Sequence, residues 1–145
     1  MVRPFNTHLP FQKSNSEGDV VSIFLKRDSA GEPLLIKGSG EQTRDLLNVE
    51  DCADFIVSCA LAESAEGQIV NAGAGADVAI KDLAKLCASA TNRVEHVAHD
   101  HPQAEIMKLL CDSSKATRLL GWTPKVDLAE GLRRTRQWLE ANRWA

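Results

Sequence analysis

The chain has 145 residues, of which 43% are hydrophobic and 26% charged, and its formal net charge is −3. That length suits one domain with its own core, so we expect residues 1–145 to form a single domain. Interspersed acidic and basic residues argue against a nucleic-acid partner, and the sequence shows neither an apolar run of roughly 20 residues nor a signal-peptide layout, which predicts a cytoplasmic protein without a membrane span.

Short strands and helices alternate in the first part of the chain. Strands are predicted over residues 2–6 and 34–36. A helix is predicted over residues 19–30, with Asp19 as its N-cap and Gly31 ending it. The apolar spacing of this helix predicts one packing face made of Val20, Ile23, Phe24 and Arg27.

Residues 38–51 (GSGEQTRDLLNVED) combine a glycine turn, an arginine and a helix start. Gly38 and Gly40 allow the backbone to turn sharply after the strand. The planar guanidinium of Arg44 suits a bidentate grip on phosphate or carboxylate, and the alternative is a surface ion pair between Arg44 and Asp45. Asn48 is predicted to cap a helix over residues 51–63. Its buried face is predicted to hold Cys52, Phe55, Ile56, Cys59 and Ala60.

A second glycine turn imitates a dinucleotide-binding unit. A strand over residues 68–71, the turn at Gly73 and Gly75, a helix over 80–90 and a strand over 94–98 with Glu95 follow the order of that unit. We reject this interpretation because Val78 occupies the third glycine position, where its branched side chain opposes close packing of helix and strand. Asp77 would also direct a negative charge at a pyrophosphate.

The cysteines and histidines do not have the spacing of a metal site. The cysteines contain no C-x-x-C pair and are predicted to be small core residues: Cys52, Cys59, Cys87 and Cys111. Three histidines share neither a strand face nor a helix face, which favours a solvated loop over a shared metal: His96, His99 and His101.

Two helices are predicted at the end of the chain. One is capped by Asp112, runs through Leu120 and is closed by Gly121, and the other begins at Asp127 with Glu130 in a capping-box-like arrangement. Two tryptophans are predicted as core anchors: Trp122 and Trp138. Three arginines are predicted on the solvated side of the last helix: Arg133, Arg134 and Arg136.

Seven motifs in register resemble one protein family, the extended short-chain dehydrogenases/reductases, which are NAD-dependent sugar-nucleotide epimerases and dehydratases. Besides GSGEQTRDLLNVED, the matching segments are RPFNT at 3–7 with Pro10, GEPL at 31–34, NAGAG at 71–75, CDSSKA at 111–116, LGWTP at 120–124 and EGLR at 130–133.

The resemblance covers residues 3–142 and implies an α/β fold: the C-terminal, substrate-binding part of an extended Rossmann-type protein, with short strands, about five helices and no N-terminal dinucleotide-binding unit. By this resemblance, Arg44 and Asn6 are candidates to contact a substrate's diphosphate, and Leu35 and Lys37 to lie along its base. His101 stands near the place where the family often carries a second diphosphate-binding arginine.

The family's chemistry needs a glycine-rich loop and a Tyr-x-x-x-Lys pair, and this chain contains no tyrosine. We therefore expect a chain that binds a nucleotide-diphosphate sugar, binds no NAD itself and is not catalytic alone. Two alternatives remain open: a non-enzymatic interaction module that has lost the ligand, and a subunit that complements a separate NAD-binding chain. Strand edges near Pro4 and Ile69 would lack neighbours, which predicts a homodimer.

Overall fold

The computed structural model describes residues 1–8, 10, 19–99 and 102–142. The described strands are β1 (Val2–Pro4), β2 (Thr7–His8), β3 (Leu34–Lys37), β4 (Thr43–Asp45), β5 (Leu47–Asn48), β6 (Val70–Ala72), β7 (Asp77–Ala79), β8 (Val94–Val97) and β9 (Lys108–Leu109). The described α-helices are α1 (Val20–Ser29), α2 (Val49–Leu61), α3 (Ile80–Cys87), α4 (Ser114–Leu120) and α5 (Leu128–Ala141). Short 3-10 turns lie at Glu63–Ala65 and Pro102–Ala104. The predicted α/β class is confirmed.

Strands β1 and β6 form a parallel pair over the first of two hydrophobic cores. Parallel neighbours need a long crossover, and here the connection includes helix α2. Phe55 of α2 and Trp122, which follows α4, pack with their ring centroids 5.3 Å apart and their ring planes tilted by 58°. Trp122 is 4% exposed, so its predicted role as a core anchor is confirmed.

The second core lies between α1, β3, α3 and α5. Strand β3 pairs in parallel with β8, and its alternation buries Leu34 and Ile36 while Leu35 and Lys37 point the other way. Phe24 of α1 and Leu83 of α3 are almost fully buried against this strand. Each such side chain contributes about 1.5–3 kcal/mol by leaving water.

Strand β4 holds together a small three-stranded sheet that the sequence did not predict. It pairs antiparallel with β7 and parallel with β9. Strand β5 follows directly and pairs in parallel with β2. Asn48 then caps α2 as predicted, since its side-chain oxygen accepts a hydrogen bond from the Glu50 backbone N–H at 2.9 Å.

Two predicted helix faces are wrong in part. Helix α1 buries Val21 and Leu25 beside Phe24, whereas Val20, Ile23 and Arg27 are only half-buried. On α2, Ile56 is 43% exposed and Ala60 is exposed as well, although their spacing predicted burial. Hydrophobic spacing therefore located both helices correctly, but the observed packing faces are turned by about one residue from the predicted ones.

For one of the three arginines predicted to be solvated, the prediction is wrong. Arg136 of α5 donates to Asp28 of α1 at 2.5 Å and to the Cys87 carbonyl of α3 at 2.5 Å. Asp28 also accepts from the Ser89 backbone N–H at 2.8 Å. Although burial alone would raise the pKa of Asp28, these hydrogen bonds lower it to about 2. The arginine therefore joins three helices of the second core.

The cysteines behave as predicted. Cys52, Cys87 and Cys111 are buried free thiols, Cys59 is half-buried, and burial raises the pKa of Cys87 to about 12. In the parts of the chain that the structure describes, no three His, Cys, Asp or Glu side chains gather as metal ligands. Among the same residues, no helix combines the length and apolar composition needed to cross a bilayer.

Candidate functional site

A cavity of about 500 Å³ opens between helix α1, strands β3 and β4, and the segment around residue 105. Four of the five residues selected from the sequence line it: Asn6, Leu35, Lys37 and Arg44. The fifth candidate, His101, lies outside the described residues. The further lining residues used below are Asp19, Val20, Ile23, Arg27, His99 and Glu105.

Strand geometry explains why β3 faces this cavity with two side chains. Alternate residues of a strand point to opposite faces, so Leu35 and Lys37 reach the cavity while Leu34 and Ile36 enter the core. Gly38 and Gly40 follow with φ angles of 71° and 73°, as the predicted tight turn requires. Leu35 gives this wall an apolar surface and Lys37 a positive charge.

Arg44 points into the cavity from strand β4 and is held by three acceptors. Its Nη1 donates to the backbone carbonyls of Thr43 at 2.8 Å and Ile106 at 2.7 Å. Its Nη2 donates to the Glu105 carboxylate. The side chain is 20% exposed, so its charge is partly shielded from water. The guanidinium is thus fixed in one orientation at the cavity wall.

Glu105 links Arg44 to His99. One carboxylate oxygen accepts from Arg44, and the other lies 2.6 Å from the His99 Nε2. Burial alone would raise the pKa of Glu105, but the hydrogen bonds from His99 and Arg44 lower it below its ordinary value. Glu105 is therefore ionised at neutral pH. Sequence analysis missed this residue, because it belongs to none of the motifs and its partner lies 61 positions away.

Asp45, the sequence neighbour of Arg44, faces away from the cavity. Its buried carboxylate accepts hydrogen bonds from the backbone N–H groups of Ala74 at 2.6 Å, Gly75 at 3.1 Å and Cys111 at 3.1 Å. The alternative of an Arg44–Asp45 surface pair is therefore wrong, because successive residues of strand β4 point to opposite faces.

These contacts also bear on the second glycine turn. The amides of Ala74 and Gly75 donate to a carboxylate of the chain itself, and strand β7 follows the turn where a dinucleotide-binding unit would have a helix. The residues present at this turn do not fit a pyrophosphate.

Asn6, in the wall of the cavity, links the segment after β1 to strands β4 and β5 through hydrogen bonds. Its Nδ2 donates to the Asp45 carbonyl at 3.3 Å, and its backbone carbonyl accepts from the Leu47 N–H at 3.0 Å. The residue follows β1, at the carboxyl end of the parallel pair. Ligands of open α/β sheets commonly bind outside that end.

Helix α1 closes the cavity with the half-buried residues that sequence analysis assigned to packing. Val20 and Ile23 supply apolar surface, and Arg27 is fixed by a hydrogen bond of 2.6 Å from its Nε to the Pro33 carbonyl. Burial raises the pKa of Asp19 at the helix start to about 6. One of its carboxyl oxygens has no hydrogen-bond partner among the described residues.

Two of the three histidines do not lie in a uniformly solvated loop. His96 is in strand β8, exposed, with its Nδ1 2.8 Å from the Gly38 carbonyl. His99 is half-buried at the cavity wall. A second cavity of about 330 Å³ lies near the start of α5, with Asp77, Lys125 and Asp127 in its wall, and holds none of the predicted site residues.

The comparisons with known proteins indicate the same family. The family described as GDP-mannose 4,6 dehydratase matches residues 1–135. A UDP-glucose 4-epimerase of Mycolicibacterium smegmatis is 31% identical over 92% of this chain and 43% of its own length. The X-ray structure of Pal from Bacillus thuringiensis is 49% identical, with a TM-score of 0.93 over 97% of this chain and 45% of that one.

A third relative carries ligands. The UDP-glucuronic acid 4-epimerase of Bacillus cereus, solved with UDP-glucuronic acid and NAD, is 26% identical, with a TM-score of 0.83 over 97% of this chain and 44% of that one. The chain thus spans less than half the length of each of these three relatives.

Proposed function

Because the chain belongs to the GDP-mannose 4,6 dehydratase family of extended short-chain dehydrogenases/reductases and corresponds to the C-terminal part of such proteins, we propose that it is their nucleotide-sugar-binding portion. The ligand is a nucleoside diphosphate linked to a sugar, and it occupies the 500 Å³ cavity beside Arg44.

The observation that carries this proposal is the convergence of four side chains chosen from the sequence on one cavity. Arg44 and Lys37 supply positive charge for a diphosphate, and Asn6 supplies an amide donor. Leu35 and the apolar residues of α1 supply a surface for the base. A cavity of this volume with a few polar groups among apolar ones is the usual form of a small-molecule site.

Ligands named for relatives agree with this chemistry. The Bacillus cereus relative was solved with a UDP-sugar and NAD together. We assign only the sugar nucleotide to this chain. The chain contains no tyrosine to act as the family's proton acceptor, and its one glycine turn of suitable order donates its amides to Asp45. On this proposal the chain alone does not catalyse hydride transfer, and NAD belongs to the remainder of the family's fold.

Exposed apolar surface supports an additional interface. Helix α2 packs against β1 and exposes Val57 at 55% and Leu61 at 81%. Val2 of β1 is 38% exposed, and Ile69 beside β6 is 47% exposed. Within the described residues β1 pairs with β6 alone. We propose that a second copy covers this surface as a homodimer, with a separate cofactor-domain chain as the alternative. Sedimentation as a monomer at tens of micromolar would count against the homodimer.

Calorimetric titration tests the binding proposal. The chain is titrated with UDP-glucose, dTDP-glucose, GDP-mannose, CDP-glucose and, in parallel, NAD. We expect one sugar nucleotide to bind and the Arg44→Ala variant to weaken that binding by about tenfold or more, since a charge-assisted hydrogen bond contributes ~1.5–3 kcal/mol. Arg93→Ala is the matched control, because Arg93 is 78% exposed and outside the cavity.

The other outcomes separate the alternatives. If none of the four sugar nucleotides gives a detectable heat of binding, the result would contradict the proposal and favour the non-enzymatic interaction module. Binding of NAD would contradict the assignment of the cofactor to the rest of the fold.

A further inference from the structure

We propose that Glu105 is a specificity-determining residue: its carboxylate makes the cavity favour a diphosphate esterified at both ends, as in a sugar nucleotide, over a free nucleoside diphosphate. The inference rests on the proposed function and assigns a role to a residue that no motif marks. Its basis is a fixed negative charge placed directly beside the arginine that receives the phosphates.

Glu105 is not needed to orient Arg44. The guanidinium Nη1 is already held by the carbonyls of Thr43 and Ile106 at 2.8 and 2.7 Å. These two bonds fix the plane of the group, because the five N–H donors of arginine lie in one rigid fork. What Glu105 adds is charge: it neutralises part of the field that Arg44 offers to an anion.

The charges around the cavity make this contribution a large share of the total. Arg27, Lys37 and Arg44 are positive, and Asp19 and Glu105 carry the carboxyl groups. Glu32 offsets Arg27, with its carboxylate 3.4 Å from the guanidinium. Removing one negative charge from so small a set changes the net charge seen by the ligand substantially. The effect is felt locally, since the side chains of Arg44 and Glu105 are only 20% and 17% exposed.

Two ligand classes differ in charge at the relevant phosphate. In a sugar nucleotide each phosphate has one ester and one anhydride linkage, and each carries one negative charge. In a free nucleoside diphosphate the terminal phosphate has a second ionisation near pH 6, so it carries close to two charges at neutral pH. A carboxylate beside Arg44 repels the second class more strongly. The cavity thereby disfavours the nucleotide that is left when the sugar is lost.

The test compares the affinity ratio for matched ligand pairs. Each of the four sugar nucleotides is titrated beside its free nucleoside diphosphate into the wild-type chain and the Glu105→Gln variant. Glutamine keeps the shape and one acceptor oxygen for Arg44, presents an amide N–H donor to His99 in place of the second acceptor oxygen, and removes the charge. We expect the variant to bind the free diphosphate about fivefold more tightly relative to the sugar nucleotide than the wild type does.

Two further variants separate charge from structure. Glu105→Asp keeps the charge and should keep the wild-type ratio. Glu41→Gln removes an exposed carboxylate outside the cavity, paired with Lys81, and should also leave the ratio unchanged. An affinity ratio that is the same in Glu105→Gln and the wild type, including one left unchanged by an equal loss of affinity for both ligands, would overturn the inference. The proposed function would still stand. Absence of binding by all pairs to the wild type would overturn both.

Discussion

His8 gives the chain a specific weakness toward acid. The side chain lies in β2, fully buried at 0% exposure, and neither ring nitrogen has a hydrogen-bond partner among the described residues. The α5 backbone approaches so closely that a Cβ on Gly131 would overlap the imidazole. Burial lowers the pKa of His8 from 6.5 to about 4, and the charge of Asp51 offsets this only in part.

The sign and size of the effect follow from linkage. The folded protein disfavours the charged imidazole, so this stabilisation is complete above the unfolded pKa of 6.5 and is lost as the pH falls toward 4. The full difference is about 3 kcal/mol, and about 2 kcal/mol of it is lost between about pH 7.5 and about pH 5. Asp19 acts in the opposite direction, because its raised pKa favours the folded state by about 1 kcal/mol over the same interval.

Urea denaturation of matched variants isolates the histidine. Wild type, His8→Leu and His96→Leu are unfolded at about pH 7.5 and about pH 5, and each change in unfolding free energy is compared. Because Asp19 is present in all three, the His8→Leu variant should lose about 2 kcal/mol less than the wild type on acidification. His96 is exposed, so its variant should follow the wild type. Equal acid losses in wild type and His8→Leu would refute the reasoning.

Two further predictions concern the buried junction at strand β4. Asp45→Asn should lower the free energy of unfolding by about 3 kcal/mol, because an amide cannot replace a carboxylate that accepts three backbone N–H groups; Asp54→Asn, an exposed control, should be near neutral in the same urea titration. Gly73→Ala should cost about 2 kcal/mol or more, since its Cβ would meet Asp45 Oδ2 at 2.6 Å. Gly75→Ala has open space but a φ of 76° and should cost only about 1 kcal/mol in thermal unfolding. Equal losses for the two glycine variants would contradict this account.

Local signals were sufficient to locate the helices and two of their N-caps, whereas Asp19 makes no side-chain cap hydrogen bond and Ser113, not Asp112, is the N-cap residue of α4. Asn48 accepts from the Glu50 N–H, and Asp127 accepts from the Glu130 N–H at 2.8 Å, as their positions predicted. Gly121 ends α4 with a φ of 63°. Capping depends on residues within one helical turn, so one sequence contains the information. Which face of a helix is buried depends on distant parts of the chain. The sequence therefore did not show that Val20 and Ile23 of α1 line the cavity.

The short strands could not be predicted in the same way. Strand β4 has three residues, Thr-Arg-Asp, with no apolar alternation, and it is a strand because β7 and β9 pair with it. Because strand β4 is not evident from the sequence, an ion pair between Arg44 and Asp45 remained an alternative. In a strand, the side chains of two successive residues point to opposite faces, which excludes that pair. Glu105, which accepts a hydrogen bond from Arg44, lies in a distant segment of the chain. No local sequence pattern could therefore indicate this contact.

The most direct test of the account is to locate the bound ligand by amide chemical shifts. The isotope-labelled chain is titrated with the sugar nucleotide that binds in calorimetry, and the shifted amides are mapped on the fold. The account predicts that the largest shifts cluster at the 500 Å³ cavity, at Lys37, Arg44 and Val97. Shifts confined to the second cavity, at Val78 and Lys125, or absent from both cavities, would contradict it.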